Sequence, residues 1–333
     1  MTQTAAILGL EGQAVTDWER GFFREADPWG FILFARNIDN PDQLRRLAAE
    51  LRDSLGRNAP ILIDQEGGRV QRMRAPHWRE YLPALDQMRR ARDPLRAHWV
   101  RNRLIAQELF DVGIDVNCAP LADLVEPQTH PVLLNRLYGD DPVAVAAAAR
   151  ICAEAFLAGG VLPVLKHIPG YGRAQVDSHK DMPTVDMHRD ALAGRDFAPF
   201  RALNDMPLGM TAHIVFSAFD DRNPATTSPE MIRLIRADIG FGGLIMTDDL
   251  SMQALRGTIG ERASASIAAG CDVVLHCNGD RAEMQDCATA AGAMTTDAQA
   301  RGDAALALRQ RPNAIDSNAL WDELQLLTGT GDG

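Results

Sequence analysis

The 333-residue chain has no run approaching the ~20 consecutive apolar residues that a membrane-spanning helix requires. Its opening, MTQTAAILGLEGQAV, lacks a basic segment ahead of a long apolar one, so no secretory leader is expected and the protein is read as soluble and cytoplasmic. Positive charge is not in excess either: 34 Lys and Arg stand against 45 Asp and Glu, a formal net charge of −11. The acids are spread along the chain, which disfavours a sequence-independent hold on nucleic acid. Cysteine is sparse and odd in number. Cys118, Cys152, Cys271, Cys277 and Cys287 show no paired metal spacing and are read as reduced core thiols. No Pro-, Gly- or Ser-rich linker divides the sequence, and no repeat appears beyond an alternation of short and long apolar segments. Residues 1–333 are therefore read as one domain.

What is present is a composition of 46% hydrophobic and 24% charged residues, ordinary for a chain that buries a full core. Eight short apolar runs, each bounded by glycine, proline or a polar residue, read as strands: Ala5–Leu10, Phe31–Ala35, Ile61–Asp64, Ile114–Ala119, Pro163–His167, Leu208–His213, Gly243–Asp248 and Cys271–His276. Helical stretches lie between them, at Pro41–Leu55, Pro94–Asp111, Pro142–Ala158, Ala191–Asn204, Pro229–Ile239 and Ile259–Ala269, several opened by a proline in the first turn. Strands too apolar to face water, alternating with helices, predict a closed (β/α)8 barrel of the TIM type, with a doubly wound open sheet as the second choice.

In such a barrel chemistry gathers at the carboxyl ends of the strands. Those ends carry Arg36-Asn37, Asp64-Gln65-Glu66, Lys166-His167, His213 and Asp248-Asp249. Asp248 leaves a buried strand at the mouth, where a carboxylate can approach an electrophilic carbon. Asp249 follows at once and equally suits an N-cap for the next segment, so spacing does not say which of the two reacts. After Lys166-His167 the chain runs through two glycines and a proline into polar sequence, a pattern predicting a long, mobile loop. Within it Asp177 and His179, at i and i+2 of an extended stretch, project to one side, so the carboxylate can orient the imidazole for proton transfer.

Asp64-Gln-Glu66 also resembles an acidic metal site, but no second carboxylate cluster accompanies it and the nearby arginines repel a cation, so no metal is expected. His98, His188 and His276 read as surface or core residues, and His213 as lining a pocket. The glycines of Glu66-Gly-Gly-Arg69 lack the Gly-x-Gly-x-x-Gly spacing of a dinucleotide loop.

The stretch Lys166-His-Ile-Pro-Gly170, followed by Asp177-Ser-His179, resembles the loop of family 3 glycoside hydrolases of the bacterial β-N-acetylglucosaminidase type. Gly30-Phe-Ile-Leu-Phe-Ala-Arg-Asn37, Ile63-Asp-Gln-Glu-Gly-Gly-Arg-Val-Gln-Arg72, Asn135-Arg-Leu-Tyr-Gly-Asp-Asp-Pro142 and Met246-Thr-Asp-Asp-Leu-Ser-Met252 match the same family in order, as do Thr211-Ala-His213 and Ala269-Gly-Cys-Asp272. The resemblance runs from about residue 5 to about residue 280.

It implies a retaining β-N-acetylglucosaminidase without cofactor, acting on terminal non-reducing N-acetylglucosamine of 1,6-anhydro-muropeptides in cell-wall recycling. It implies Asp248 as nucleophile, His179 as general acid and then base, and Asp177 as its partner. Asp64, Arg72, Arg136, Lys166 and His167 match residues that hold the sugar. For the three cations the alternative is salt bridges to nearby acids. The partners implied are muropeptides or related N-acetylglucosaminides, with no nucleic acid, membrane or obligate protein partner. Two departures stand out: Tyr171 where the loop usually has histidine, and Leu137-Tyr138 where Ser-Phe is usual. The alternatives left open are a family 3 glycosidase or phosphorylase for another sugar, and a sugar-binding barrel without turnover. The presence of Asp248 with Asp177 and His179 argues against the last.

Overall fold

Eight apolar segments form strands because their residues, rich in Ile, Leu and Val, bury both faces, the usual state of a parallel strand covered by helices. They are β1 (Thr4–Leu8), β2 (Pro28–Leu33), β3 (Ile61–Ile63), β4 (Val116–Asn117), β5 (Leu162–Ile168), β6 (Leu208–Thr211), β7 (Leu244–Asp249) and β8 (Val273–His276). The computed structural model describes residues 2–175 and 182–329. Each strand pairs in parallel with the next, and β1 pairs with both β2 and β8, so the sheet closes into a barrel. The eight predicted runs are these eight strands. The open doubly wound alternative is overturned by the β1–β8 pairing, in which Ile7 stands opposite Leu275.

The helices start where capping chemistry demands. Asn40, Asp93, Asp141 and Ser228 each accept a backbone N–H of the first turn and precede a proline, whose missing N–H would have lacked a helical partner anyway. They open α1 (Pro41–Leu55), α2 (Pro94–Phe110), α3 (Pro142–Ala158) and α4 (Pro229–Ala237); Thr258 and Glu261 form a capping box for α5 (Ile259–Ala269). One expected helix differs. The stretch predicted as Ala191–Asn204 is broken into Arg189–Ala191, a wide turn over Leu192–Asp196, and Ala198–Ala202. Pro199 removes an intrahelical donor and Gly194 weakens the turn before it.

Beyond β8 the chain adds helices Arg281–Ala291, Thr296–Leu306 and Ser317–Thr328. The tail is tied to the amino-terminal end of the barrel by Asp115, which binds Arg309 at 2.8 Å and Arg52 at 3.2 Å. All five cysteines are free and buried, as the sequence predicts. Among the described residues no helix is long and apolar enough to cross a membrane.

Candidate active site

The carboxyl ends of β2, β3, β5, β6, β7 and β8 surround a cavity of about 130 Å³. Asp64, Arg72, Arg136, Lys166, His167 and Asp248, all singled out from the sequence, line it together.

Asp64 leaves β3, and the loop after it is folded back by Gln65. The Gln65 side chain accepts the backbone N–H of Arg72 at 2.7 Å and of Met73 at 3.1 Å, while its own N–H donates to Asn117 on β4 at 2.9 Å. Gly67 permits the turn: its φ is +93°, and a Cβ there would lie 2.1 Å from Nη2 of buried Arg101. Arg72 is thereby returned to the cavity, Nη2 at 3.3 Å from Asp64 and the guanidinium 5.4 Å from the Phe34 ring centre.

Lys166 and His167 are neighbours near the end of β5, joined by a cis peptide bond, where the β5–β6 register shifts between Leu165 and Ile168. The Lys166 side chain, 2% exposed, places Nζ 2.9 Å from Asp64 and 2.7 Å from Glu66. Arg136 grips Glu66 with two bonds, Nε at 2.9 Å and Nη2 at 2.8 Å, leaving its Nη1 donors unused among the described residues. The cations are thus paired with acids, as the salt-bridge alternative has it, and they also line the cavity.

This pairing governs the acids. Burial pushes Asp64 and Glu66 up, but the adjoining cations win: Asp64, beside Lys166 and Arg72, falls well below the ordinary carboxylate range, and Glu66, beside Arg136 and Lys166, falls to about 2. Burial would also lower Lys166 and Arg136, yet their carboxylate partners raise both above their ordinary values. A fixed array of charged donors and acceptors results, which suits a ligand rich in hydroxyl and amide groups. It leaves the acidic pair no vacancy for a cation.

Asp248 and Asp249 end β7 but differ in their partners. Asp249 accepts from the Ser251 N–H at 3.0 Å, the Ser251 hydroxyl at 2.5 Å and the Cys277 N–H at 3.1 Å, so its carboxylate holds the turn after the strand. Asp248 accepts, among the described residues, only the Asp249 N–H at 2.8 Å. Burial pushes Asp248 up, but His167, His213, that N–H and Lys166 together bring it below its ordinary value, so it is an anion near neutral pH. Hydrogen-bond accounting thus separates the two aspartates: Asp249 is engaged in the turn, and Asp248 keeps a single backbone donor among the described residues.

His213 is fixed on both ring nitrogens, 2.7 Å from the Thr226 hydroxyl and 3.0 Å from the Asp249 carbonyl oxygen, and burial lowers its pKa. His167 places Nδ1 2.7 Å from Asp123, whose carboxylate also accepts the Tyr171 N–H at 2.7 Å. Tyr171 itself lies with its ring 5.4 Å from that of His167. Leu137 and Tyr138 are turned into the core behind Arg136, where the Tyr138 hydroxyl accepts the Leu121 N–H at 3.3 Å. Neither residue lines the cavity. His98 and His276 are buried and His188 exposed, none of them lining the cavity.

Asp177 and His179 lie outside the described residues. Two residues that the sequence left without a role take part in the site. Glu66 stands in the same motif as Asp64, and its i+2 spacing was an available signal. Asp123 carried no local signal, since only the β4–β5 neighbourhood brings it to His167, 44 residues away.

A closed parallel (β/α)8 barrel with an ion-paired, carboxylate-lined cavity at the carboxyl ends of its strands defines a TIM-barrel protein built to hold a small polar ligand. Residues 26–305 match the glycosyl hydrolase family 3 N terminal domain, and the chain belongs to that family. It is 38% identical over 282 residues to a beta-hexosaminidase of Alkalilimnicola ehrlichii, covering 82% of this chain and 80% of that one. Among solved structures it resembles a family 3 beta-N-acetylglucosaminidase from Paenibacillus sp. (TM-score 0.85, 28% identity, 97% of this chain and 67% of that one). It also resembles NagZ from Neisseria gonorrhoeae in complex with N-trifluoroacetyl-D-glucosamine (TM-score 0.80, 30% identity, 98% and 99%).

Proposed function

We propose that this protein is a retaining, exo-acting β-N-acetylglucosaminidase that removes terminal non-reducing N-acetylglucosamine from 1,6-anhydro-muropeptides during cytoplasmic cell-wall recycling. The observation that carries the reading is the state of Asp248: a carboxylate with one backbone donor among the described residues, held anionic in a cavity where Asp64 is paired with Lys166 and Arg72 and Asp249 is engaged by Ser251 and Cys277. The names of the relatives support the sugar class, and the small cavity suits a ligand about the size of one sugar ring.

In this reading Asp248 attacks the anomeric carbon as the glycosidic bond breaks, and His179, oriented by Asp177, gives its proton to the departing oxygen. A glycosyl-aspartate results. His179 then takes a proton from water, which displaces Asp248 from the same carbon, and the two inversions give net retention. Asp64, Arg72, Arg136, Lys166 and His167 hold the ring hydroxyls and the N-acetyl group.

The test is to treat the protein with a fluorinated N-acetylglucosaminyl inactivator and locate the adduct by mass spectrometry. A label on Asp248 is expected, together with a loss of order 10⁴-fold or more in turnover for Asp248→Ala. A label elsewhere, or unchanged hydrolysis by the variant, refutes the assignment. Parallel assays of N-acetylglucosaminides and glucosides, with and without phosphate, separate hydrolysis of this sugar from the other family 3 chemistries.

A further inference from the structure

The chain leaving β5 is not free over its first turns. It runs beside residues 121–130, the segment after β4, and is tied to them repeatedly. The Ala122 N–H donates to the Lys166 carbonyl at 2.9 Å, the Thr129 hydroxyl to the Gly172 carbonyl at 2.7 Å, and the His130 N–H to the Ala174 carbonyl at 3.1 Å. The approach is close enough that a Cβ on Gly172 would lie 1.9 Å from the Leu124 carbonyl oxygen. Charged side chains lock the same place. Arg173 sets Nε 2.7 Å from Asp196 and Nη2 3.4 Å from Glu126, and Glu126 also takes Arg195 at 2.8 Å. The Glu126 N–H in turn donates to Thr129 Oγ1 at 2.7 Å.

Arg173, Glu126 and Asp196 have side chains only 12%, 8% and 7% exposed. Burying such groups gains little net stability over an apolar cluster, and what their mutual pairing adds is a single register. The residues that follow are the ones given the proton-transfer role: Asp177 and His179 lie three and five positions past Ala174. At roughly 3.3–3.6 Å per residue, His179 is within about 18 Å of the Ala174 tie, but within about 29 Å of the Asp123–Tyr171 tie. Loss of the intervening ties enlarges the space open to the imidazole.

We infer that Thr129 and Arg173 are positioning residues, which hold the stem of this segment so that the His179 imidazole meets the departing oxygen. The inference rests on the assignment of His179 proposed above. The test uses the full-length protein and kcat/KM, which reports the step up to bond cleavage, on two aryl β-N-acetylglucosaminides. One has a strongly acidic phenol that leaves without a proton, the other a weakly acidic phenol that needs one. His179→Ala is the benchmark, with a loss of about 10²–10⁴-fold expected on the second substrate and little on the first.

Arg173→Ala and Thr129→Val are each expected to lose roughly tenfold on the second substrate and less than about twofold on the first, since an acid out of place forfeits part of its contribution. Arg173→Lys should recover part of that loss. Equal losses on both substrates, or none on either, overturn the inference. Should Arg173→Ala fail to fold, Thr129→Val carries the test alone. If His179→Ala itself shows no dependence on the leaving group, the assignment of His179 fails and takes the inference with it.

Discussion

Replacing Lys166 by methionine keeps the length of a buried side chain and removes its charge, leaving Asp64 and Glu66, which both contact its Nζ, with one cation fewer. Loss of one partner from a buried pair typically costs about 3–5 kcal/mol. The structure allows an independent figure. The fall of Glu66 from 4.5 to about 2 corresponds, at about 1.36 kcal/mol per pKa unit, to about 3 kcal/mol net, left after Arg136 and Lys166 together have offset the burial penalty. With an unfolding entropy near 2.1 cal/mol/K per residue over 333 residues, Lys166→Met is expected to melt about 4–7 °C below the wild type at pH 7.

The pH dependence fixes the cause. In the wild type the depressed carboxyls contribute stability above their unfolded values and lose it as pH falls through the folded ones, for Glu66 between about 4.5 and 2. In the variant burial dominates, the carboxyls rise, and protonation relieves the uncompensated charge already in mildly acidic solution. The difference in melting temperature should therefore narrow from pH 7 towards pH 4. Differential scanning fluorimetry across that range measures it. A difference under about 1 °C at pH 7, or one that does not change with pH, would refute the reasoning.

Glu66→Gln removes the anion that Arg136 grips with two bonds, and hydrogen bonds to charged groups contribute about 1.5–3 kcal/mol each, so kcat/KM is expected to fall roughly 10- to 100-fold, mostly through KM. Steady-state kinetics check it, and an unchanged KM would show that Arg136 does not hold the sugar. Because Asp248 lies below the ordinary aspartate value of 3.8, it stays ionised on acidification and the acidic limb of kcat/KM it produces is expected below pH 3.8; a limb near pH 5 would belong to another group. All five thiols are raised by burial, Cys152 and Cys287 to about 12, so an aromatic disulfide reagent at pH 8 should label none in the native protein and five after denaturation. Rapid labelling of a native thiol would contradict the packing.

The apolar runs, their spacing and the prolines that open the helices were sufficient to predict eight strands in order and the (β/α)8 class, because each is a local property of the chain. The polar residues at the strand ends were equally legible, and five of them, Asp64, Lys166, His167, Asp248 and Asp249, line one cavity. Three matters required the folded chain. Closure depends on β1 meeting β8, a contact between residues some 268 positions apart such as Ile7 and Leu275. The difference between Asp248 and Asp249 depends on donors from Ser251 and Cys277 that engage one and leave the other. The roles of Glu66 and Asp123 depend on Arg136, Lys166 and His167 arriving from other strands. Periodicity records which face of an element is buried, whereas charge compensation is a property of groups that only tertiary structure brings within a few ångströms of one another.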